Sequence, residues 1–377
     1  MKNIALIGST GSIGIQTLNV VRRNPDKFRI VSLAAGNNIL ALKEQAREFK
    51  PLVATAVKRP SYGDVSSNSE CFYGEDAFTE AIIDEADLVV VALVGFKGII
   101  AVLDALKKNK NVALANKESL VVGGSLVMEE AKKRGLKIIP IDSEHSAIFQ
   151  ALNYDMTKPF ERIILTASGG AFRDFSESEL SGVTAKDALK HPNWKMGAKI
   201  TVDCATLVNK AFEVTEAKWL YNAPFEKIEV IIHRESIVHS MVGFKDGSVI
   251  AQMSYPTMEI PIAVALSYPE RLVSDVRALN FEQLGKLTFE PLDKKRFPCF
   301  ELVVNAAKAG GGYPAVVNGA NEQAVSLFLR DKIAYKDIYG AISGAIESYR
   351  GGDVSDYEGL KAANDYGAEF VKNKFGV

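Results

Sequence analysis

The sequence predicts an α/β protein that begins with a doubly wound domain built on a parallel sheet. As far as Ile141, short β-branched segments alternate with amphipathic stretches, which is the pattern of consecutive βαβ units. Beyond Ile141 the pattern changes, because Asp246-Gly247 is a two-residue hairpin signal that requires antiparallel pairing of the flanking strands. From Phe300 onward the apolar periodicity is helical. These observations predict a central α+β domain and a C-terminal helical bundle after the first domain.

Each predicted element has its own apolar pattern. The predicted strands are short runs rich in β-branched residues, at 3–7, 28–34, 86–93, 111–115, 136–141, 162–166, 228–232, 238–244 and 248–253. The predicted helices repeat apolar residues every three or four positions, at 39–49, 98–107, 204–220, 301–309, 318–331, 336–349 and 357–374. Residues 267–298 have weak apolar periodicity and scattered prolines, which predict a linker that crosses the surface of the molecule. The predicted domains are residues 1–141, residues 142–266 with a lid over 171–199, the linker 267–298, and residues 299–377.

Length and composition exclude several classes of protein. A chain of 377 residues with 47% hydrophobic and 24% charged residues is typical of a soluble globular protein of two or three domains. Lys and Arg number 45 against 46 Asp and Glu, so no global positive field attracts nucleic acid or an anionic membrane. Cys71, Cys204 and Cys299 are too far apart for a disulfide framework or a zinc cluster. With no signal-peptide pattern, we expect a cytoplasmic protein without nucleic-acid or membrane partners.

A glycine-rich turn follows the first predicted strand and precedes a helix. Gly8, Gly11 and Gly14 lie where backbone N–H groups and the helix dipole can meet a pyrophosphate. The spacing differs from GxGxxG, and glycines at such a turn often serve only to turn the chain. The position of the turn in a βαβ unit nevertheless predicts a Rossmann-like domain that binds a dinucleotide.

The end of the second predicted strand bears on which dinucleotide is bound. In NAD-binding domains an acidic residue there binds the ribose hydroxyls, whereas the segment LAAGNN at residues 33–38 contains no carboxylate. A 2′-phosphate is therefore not repelled. Ser12, Asn37 and Asn38 can donate hydrogen bonds to it, although none of them supplies a positive charge. The sequence favours NADP over NAD.

Two carboxylates follow the strand predicted at residues 136–141. Asp142 and Glu144 are two positions apart, and the end of a strand places such residues on one side, where both can face one cation. Neighbouring carboxylates repel each other unless a cation lies between them. The alternative is that Asp142 is an exposed N-cap of a helix over residues 146–152.

A third carboxylate, Glu213, lies on the helix predicted at residues 204–220. Asn209 shares its face at i, i+4 and Lys210 flanks it, which brings together an oxygen donor and a cation. Three oxygen ligands without Cys or His favour Mg²⁺ or Mn²⁺ over zinc. The alternative is an ordinary surface helix whose Glu and Lys side chains face water.

Three further segments are candidates for ligand binding. Lys117 follows a strand at the edge where open α/β sheets bind ligands and can polarise an oxygen, whereas the alternative is that Asn116 only caps a helix. Ser168 begins a Gly/Ser turn that either binds a phosphate or only reverses the chain. Residues 171–199 are long and polar, so we expect a mobile lid with Trp194 as an apolar contact. On its own, His191 beside a proline is more often a loop residue than a ligand.

Taken together, GSTGSIG, LANKESL, PIDSEHSAIFQ, SGGAF, HPNWKMG and VDCATLVNKAFE, in this order and spacing, resemble the 1-deoxy-D-xylulose 5-phosphate reductoisomerase family over essentially the whole chain. The resemblance implies a V-shaped homodimer that uses NADPH and a divalent cation, Mg²⁺ or Mn²⁺. It also implies the reaction, which is rearrangement and reduction of the sugar phosphate 1-deoxy-D-xylulose 5-phosphate to 2-C-methyl-D-erythritol 4-phosphate. This reaction belongs to the non-mevalonate route to isoprenoids.

The resemblance also implies roles for individual residues. It implies metal ligation by Asp142, Glu144 and Glu213, with Lys117 assisting near the metal as a fourth catalytic residue. The implied cofactor contacts are Gly8, Thr10, Gly11, Ser12, Ile13, Gly36, Asn37, Asn38, Asn116 and Glu118. The implied substrate contacts are Lys117, Ser143, Glu144, Ser168, His191, Trp194, Cys204, Asn209, Lys210 and Glu213.

Two positions depart from the family pattern, and two rival functions remain. Cys204 stands where the family commonly has Ser, which replaces a strong hydroxyl donor by a weak thiol. Asn37 stands where relatives often have a basic residue. One rival is a metal-independent dehydrogenase of an amino-acid semialdehyde with Cys204 as nucleophile. The other is a nucleotide-sensing regulatory module, which needs no metal.

Overall fold

The computed structural model describes residues 1–190, 193–194 and 196–377, and within them the fold is α/β, as predicted. The strands are β1 (Lys2–Ile7), β2 (Phe28–Ala35), β3 (Val53–Ala56), β4 (Glu70–Tyr73), β5 (Leu88–Val91), β6 (Asn111–Leu114), β7 (Ile138–Pro140), β8 (Arg162–Ala167), β9 (Ile228–Ile232), β10 (Val238–Gly243), β11 (Val249–Met253) and β12 (Glu290–Pro291). The helices are α1 (Ser12–Arg23), α2 (Ile39–Phe49), α3 (Ala77–Glu80), α4 (Gly98–Lys107), α5 (Glu118–Arg134), α6 (Ser143–Ala151), α7 (Glu177–Leu180), α8 (Ala185–Ala188), α9 (Ala198–Thr206), α10 (Val208–Leu220), α11 (Glu259–Ser267), α12 (Phe281–Leu284), α13 (Pro298–Ala309), α14 (Tyr313–Leu329), α15 (Asp337–Ser348) and α16 (Tyr357–Phe375).

The chain forms two compact units that are interleaved in sequence. The first unit comprises Met1–Ser119, Val127–Asp142 and Met258–Val276, and the second comprises Leu120–Leu126, Ser143–Thr257 and Arg277–Val377. Helix α5 therefore contributes residues to both units, and it is kinked at Gly123, whose φ of −123° and ψ of 30° are not helical. The finer division into residues 1–141, 142–266, 267–298 and 299–377 stays a prediction.

The first unit is a seven-stranded parallel sheet in the order β4-β3-β2-β1-β5-β6-β7. The strand order reverses at β1, so the carboxyl ends of β1 and β5 form the topological switch point at which open α/β sheets bind ligands. The last four residues of β1 and all of β5 are buried, which is why they appear in the sequence as continuous apolar runs. The sheet thus presents its first glycine loop, Gly8 to Gly14, at the expected ligand-binding edge.

Most predictions for the first unit are confirmed, and two strands were missed. The helices predicted at residues 39–49 and 98–107 have the bounds of α2 and α4, and the five predicted strands overlap β1, β2, β5, β6 and β7. Strands β3 and β4 were not predicted. Each has only four residues, and the half-exposed β4 lies at the edge of the sheet, so neither makes a clear apolar run.

The second unit contains a five-stranded mixed sheet in the order β11-β10-β8-β9-β12. The antiparallel pairing of β10 with β11 predicted from Asp246-Gly247 is confirmed, but the two-residue turn is wrong: the Phe244 N–H donates to the carbonyl of Ser248, which leaves a three-residue loop that ends at Gly247 with a φ of 85°. The single helix predicted at residues 204–220 is wrong. The chain forms α9 and then α10, separated by Leu207, whose φ of 59° lies in the left-handed region and interrupts the helix.

The segments on either side of this sheet also differ in part from prediction. The segment predicted as a lid, residues 171–199, contains regular structure, because α7 and α8 are one-turn helices that begin with capping boxes at Ser176 and Thr184. Residues 267–298, predicted as a linker, contain α12 and β12. The four predicted C-terminal helices are confirmed as α13 to α16, and α14 packs so closely on α16 that a Cβ on Gly367 would collide with the carbonyl of Val316. Among the described residues, no helix combines the length and apolarity needed to cross a membrane.

Candidate active site

The glycine loop of the first unit is shaped by close contacts between backbone atoms. Gly8 has a φ of 92°, and a Cβ added to it would lie 2.5 Å from the carbonyl oxygen of Ala92. A Cβ on Gly14 would lie 2.6 Å from the backbone of Ser9, so neither position accepts a side chain without a shift of the loop. Gly11 is the N-cap of α1 and has no side-chain capping hydrogen bond, which leaves the first N–H groups of the helix for an anion.

The other residues of the loop follow from this arrangement. Thr10, Ser12 and Ile13 surround the start of α1 and are partly or fully exposed. The Gly8 and Ser9 N–H groups both donate to the carbonyl of Ala34 on β2 at 2.9 Å, which ties the loop to the neighbouring strand. The loop from Gly8 to Gly14 therefore offers a pyrophosphate what it needs for binding, which is backbone without side chains at the N-terminus of a helix.

The turn after β2 contains the predicted residues Gly36, Asn37 and Asn38. Asn38 is the N-cap of α2, and its Oδ1 accepts a hydrogen bond from the Ala41 N–H at 3.2 Å. Asn37 is exposed, and a Cβ on Gly36 would meet open space. The turn is therefore uncharged and open, as its sequence predicts.

The segment after β6 places Asn116 and Glu118 in the interior and Lys117 towards a carboxylate. Asn116 is 1% exposed, and its Oδ1 accepts a hydrogen bond from the Ser119 N–H at 3.0 Å, which is the capping alternative for this residue. Its Nδ2 donates to Oε2 of Glu118 at 2.9 Å. Lys117 Nζ lies 2.9 Å from Oδ2 of Asp142, and both side chains are largely buried.

The centre of the second unit is a buried lysine held between two carboxylates. Lys210 Nζ donates to Oε1 of Glu144 at 2.7 Å and also to Oε2 of Glu213, while Asn209 Nδ2 donates to Oε1 of Glu213 at 2.6 Å. Lys210 is 3% exposed and Glu213 is 1% exposed. The ordinary water-facing helix that the sequence left open is therefore excluded, and Asn209 does share the face of Glu213.

The electrostatics of this centre depend on the balance between burial and charge. Burial disfavours the charged form of Lys210, but the facing carboxylates of Glu144 and Glu213 outweigh it and hold the lysine pKa above its usual range. Ser143 Oγ donates to Oε2 of Glu144, which orients that carboxylate from its own helix. The centre is consequently a fixed arrangement of opposite charges.

Asp142 is the residue at which the chain passes into the second unit, one peptide bond before Ser143. One carboxylate oxygen each from Asp142, Glu144 and Glu213 lies within 4.8 Å of the other two, close enough to share one metal ion. All three donors are oxygens, which fits Mg²⁺ or Mn²⁺. Asp142 and Glu144 were predicted to face one cation because both follow the end of a strand. That reason is wrong, because β7 ends at Pro140 and Glu144 lies in the first turn of α6.

A buried histidine and carboxylate behind this centre were missed by sequence reasoning. His145 is fully buried, and its Nε2 lies 3.4 Å from Oε2 of Glu216, which is 4% exposed. Tyr221 Oη donates to the carbonyl of His145 at 2.6 Å. These contacts join α6, which bears Glu144, to α10, which bears Glu213. In the sequence, His145 follows Glu144 and Glu216 lies one helical turn after Glu213, but no sequence pattern shows that the two side chains meet.

A Gly/Ser turn and the break between two helices meet beside this centre. The Gly170 N–H donates to Ser168 Oγ at 3.2 Å, and a Cβ on Gly170 would lie 2.7 Å from Cα of Ala205. The turn therefore lies directly on the end of α9, next to Cys204, which is partly exposed. Helix α10 begins at the break: Thr206 Oγ1 accepts a hydrogen bond from the Val208 N–H at 3.4 Å, and its first turn contains Asn209 and Lys210. This grouping fits a phosphate.

Two described residues of the segment predicted as a lid, Asn193 and Trp194, contact other parts of the second unit. Asn193 Nδ2 donates to the carbonyl of Arg234 at 2.6 Å and to Ser236 Oγ at 2.8 Å. The Trp194 ring lies with its centroid 6.0 Å from that of His239. His191 lies outside the described residues, so its predicted substrate contact stays a prediction.

These two sites define a class of protein. A doubly wound domain with a bare glycine loop at its switch point, and an acidic centre of the Mg²⁺ type, are the parts of a nicotinamide-dependent and metal-dependent oxidoreductase. The comparisons with known proteins identify the family within that class.

Three family models match the chain. The model described as 1-deoxy-D-xylulose 5-phosphate reductoisomerase matches residues 4–124. A second model, described as the 1-deoxy-D-xylulose 5-phosphate reductoisomerase C-terminal domain, matches residues 138–221, and a third, described as the DXP reductoisomerase C-terminal domain, matches residues 253–368. The 1-deoxy-D-xylulose 5-phosphate reductoisomerase of Halalkalibacterium halodurans is 48% identical over 355 residues, 93% of each chain. That of Pelodictyon phaeoclathratiforme is 47% identical over 378 residues, 99% of each chain.

Solved structures agree. The reductoisomerase of Zymomonas mobilis in complex with NADPH matches with a TM-score of 0.92 and 37% identity over 99% of each chain. A DOX-P reductoisomerase in complex with NADPH, fosmidomycin and magnesium matches with a TM-score of 0.93 and 37% identity, over 100% of this chain and 98% of that one. The chain belongs to the 1-deoxy-D-xylulose 5-phosphate reductoisomerase family.

Proposed function

We propose that the protein converts 1-deoxy-D-xylulose 5-phosphate to 2-C-methyl-D-erythritol 4-phosphate, with NADPH as reductant and Mg²⁺ or Mn²⁺ as cofactor. The observation that carries this proposal is the acidic centre, in which Asp142, Glu144 and Glu213 each offer an oxygen within 4.8 Å of the others. Three converging carboxylate oxygens are the kind of ligand set that Mg²⁺ and Mn²⁺ prefer in proteins. Full-length similarity to reductoisomerases supports the same substrate.

The three carboxylates hold the divalent cation, and Lys117 and Lys210 complete the charge balance. When bound, the cation supplies Lewis-acid polarisation of the substrate oxygens. Lys117, 2.9 Å from Asp142, fixes that carboxylate and provides a second positive charge near the substrate. Lys210 donates to both Glu144 and Glu213 and holds these two carboxylates together. The chain itself thus prepares a site in which negative charge developing on oxygen is stabilised.

The remaining predicted contacts divide between substrate and cofactor. Ser168, Cys204, Asn209 and Lys210 bind the phosphate, from the Ser168–Gly170 turn and the first turn of α10. Ser143, Trp194 and His191 also contact the substrate. The cofactor residues are Gly8, Thr10, Gly11, Ser12, Ile13, Gly36, Asn37, Asn38, Asn116 and Glu118.

The setting of the enzyme is also a proposal. We propose four segments with the predicted bounds, a homodimeric assembly and a cytoplasmic location, in a pathway to isoprenoid precursors. Family membership supports the pathway, and three cysteines with no disulfide among them are compatible with a reducing compartment.

An NADPH-oxidation assay tests the proposal. The purified full-length protein is incubated with 1-deoxy-D-xylulose 5-phosphate and NADPH, with Mg²⁺, with Mn²⁺ or with a chelator. We expect turnover with either metal and a loss of at least about 100-fold with the chelator, because metal polarisation contributes several kcal/mol. Turnover that ignores the chelator would favour the semialdehyde dehydrogenase, and cofactor binding without turnover would favour the regulatory module.

A further inference from the structure

The turn after β2 lacks the positive charge that usually secures a 2′-phosphate. Asn37 and Asn38 are neutral, and the Oδ1 of Asn38 is already engaged by the N-terminus of α2. In Rossmann-type domains that use NADP, a basic side chain near this strand end binds the phosphate. A second source of charge close to the turn would explain how the chain favours NADPH without a basic residue at position 37.

The sheet brings such a source next to the turn. Strand β3 runs parallel to β2 with Ala35 opposite Ala56, and the pairing continues past both strands. The Val57 N–H donates to the carbonyl of Ala35 and the Lys58 N–H to that of Gly36, both at 3.1 Å. The second of these hydrogen bonds places the backbone of Lys58 beside Gly36, the residue that precedes Asn37. Two residues far apart in sequence are thus neighbours at the cofactor edge.

The two basic residues after β3 are available to a ligand. Lys58 and Arg59 are both exposed. Across residues 1–190, 193–194 and 196–377, neither side chain forms an ion pair, since no carboxylate oxygen lies within 4.0 Å of the nitrogens of Lys58 or Arg59. The Arg59 guanidinium lies 5.6 Å from the centre of the Tyr73 ring on β4, which draws it away from β2, whereas Lys58 has a flexible four-carbon stem beside the turn.

We infer that Lys58 supplies the charge that binds the 2′-phosphate of NADPH, with a smaller contribution from Arg59. This inference rests on the proposed use of NADPH. It assigns discrimination between NADPH and NADH to the end of β3 as well as to the end of β2. An ammonium beside neutral amide donors binds phosphate through charge-assisted hydrogen bonds, which are the strong ones.

Dissociation constants of the full-length protein for NADPH, NADH and 2′,5′-ADP, measured by titration calorimetry, test the inference. We expect Lys58→Ala to weaken NADPH and 2′,5′-ADP by about 10- to 100-fold, and to change NADH by less than about 2-fold. Arg59→Ala should have a smaller effect in the same direction. Arg29→Ala is the matched control, because Arg29 is an exposed cation at the other end of β2, about 20 Å away.

A rescue variant separates charge from folding. In Lys58→Ala/Asn37→Lys, the charge returns in the turn after β2, and we expect NADPH affinity to recover to within about 5-fold of the parent. Equal weakening of NADPH and NADH by Lys58→Ala, or no change in either, would overturn the inference. If the parent protein does not prefer NADPH over NADH, the proposed cofactor itself fails, which is a different result.

Discussion

The glycine loop of the first unit binds through backbone groups, whereas the carboxylate centre of the second unit binds through charged side chains. The loop has no charged side chain between Gly8 and Gly14, and it offers backbone N–H groups to a ligand. Its conformation requires glycine at both ends, because a Cβ at Gly8 or Gly14 would collide with backbone atoms. The centre consists of charged side chains, with Glu144, Lys210 and Glu213 held together by direct hydrogen bonds. One site depends on the absence of atoms and the other on the presence of charge.

This difference separates the substitutions that each site tolerates. Adding a single methyl group should damage the loop and leave the charge of the molecule unchanged. Replacing a carboxylate by its amide should damage the centre and leave the volume unchanged. Substitutions of each kind therefore report on one site only, provided that cofactor binding and metal-dependent turnover are measured separately.

Glu213→Gln should have the largest effect. The change keeps the side-chain volume and an oxygen that can still accept from Asn209, but it removes one ligand charge from the metal site. We expect metal-dependent turnover to fall by at least about 1000-fold, equivalent to about 4 kcal/mol, while the NADPH dissociation constant stays within about 2-fold. Steady-state assays and calorimetry measure the two quantities. Glu226→Gln, an exposed carboxylate of the same unit, is the control, and an equal loss of NADPH binding would contradict the separation of the sites.

Lys210→Met should come next, and it acts on stability as well as activity. The variant leaves Glu144 and Glu213 close together without their shared cation, and breaking a buried charge network of this kind costs about 3–5 kcal/mol. Urea unfolding in the presence of a chelator measures this loss. Millimolar Mg²⁺ should stabilise the variant more than the parent, because the metal replaces the missing positive charge.

The control for this variant is Lys186→Met, which removes an exposed lysine in the same unit. We expect it to change the free energy of unfolding by less than about 0.5 kcal/mol. A similarly small change for Lys210→Met would mean that the two carboxylates are not held by this lysine in solution.

Gly14→Ala tests the loop. The added Cβ would lie 2.6 Å from the backbone of Ser9, so the start of α1 must shift. We expect NADPH affinity to fall by about 100-fold, or about 2.8 kcal/mol, with no change in the metal concentration that half-activates the enzyme. Gly11→Ala is the comparison, because its Cβ would meet only an ordinary contact of 3.4 Å with the Gly8 carbonyl. Equal losses in the two variants would show that ligand approach, not packing, sets the requirement for glycine.

The same contrast explains what the sequence could predict. Strongly periodic segments such as α2 and α4 were predicted with the correct bounds, because local pattern alone specifies them. The four-residue strands β3 and β4 were missed, and with them the contact between Lys58 and Gly36, which arises only because β3 lies beside β2. The capping boxes at Ser176 and Thr184 were readable in the sequence but overlooked within a segment interpreted as a lid.

In the second unit, the motifs predicted the acidic residues but not how the fold supports them. The left-handed Leu207 is a bulky residue in a region that such residues rarely occupy, so no local rule predicts a helix break there. The contact of His145 with Glu216 joins residues on different helices and depends on how α6 packs against α10. Tertiary packing, which a single sequence does not display, determines both features.

Cys204→Ser should have the smallest effect, and it is the sharpest test between rival functions. Cys204 is partly exposed beside the Ser168–Gly170 turn, and a serine there has nearly the same shape but a stronger donor. We expect the KM for the sugar phosphate to fall by about 3- to 10-fold, with kcat unchanged within about 2-fold, since one added hydrogen bond contributes about 1 kcal/mol. Cys71→Ser, a partly exposed cysteine of the first unit, should change neither constant. Loss of all activity in Cys204→Ser would instead identify a nucleophilic thiol, and the side-chain site of the second unit would then operate by covalent chemistry and not by the charge that its buried carboxylates provide.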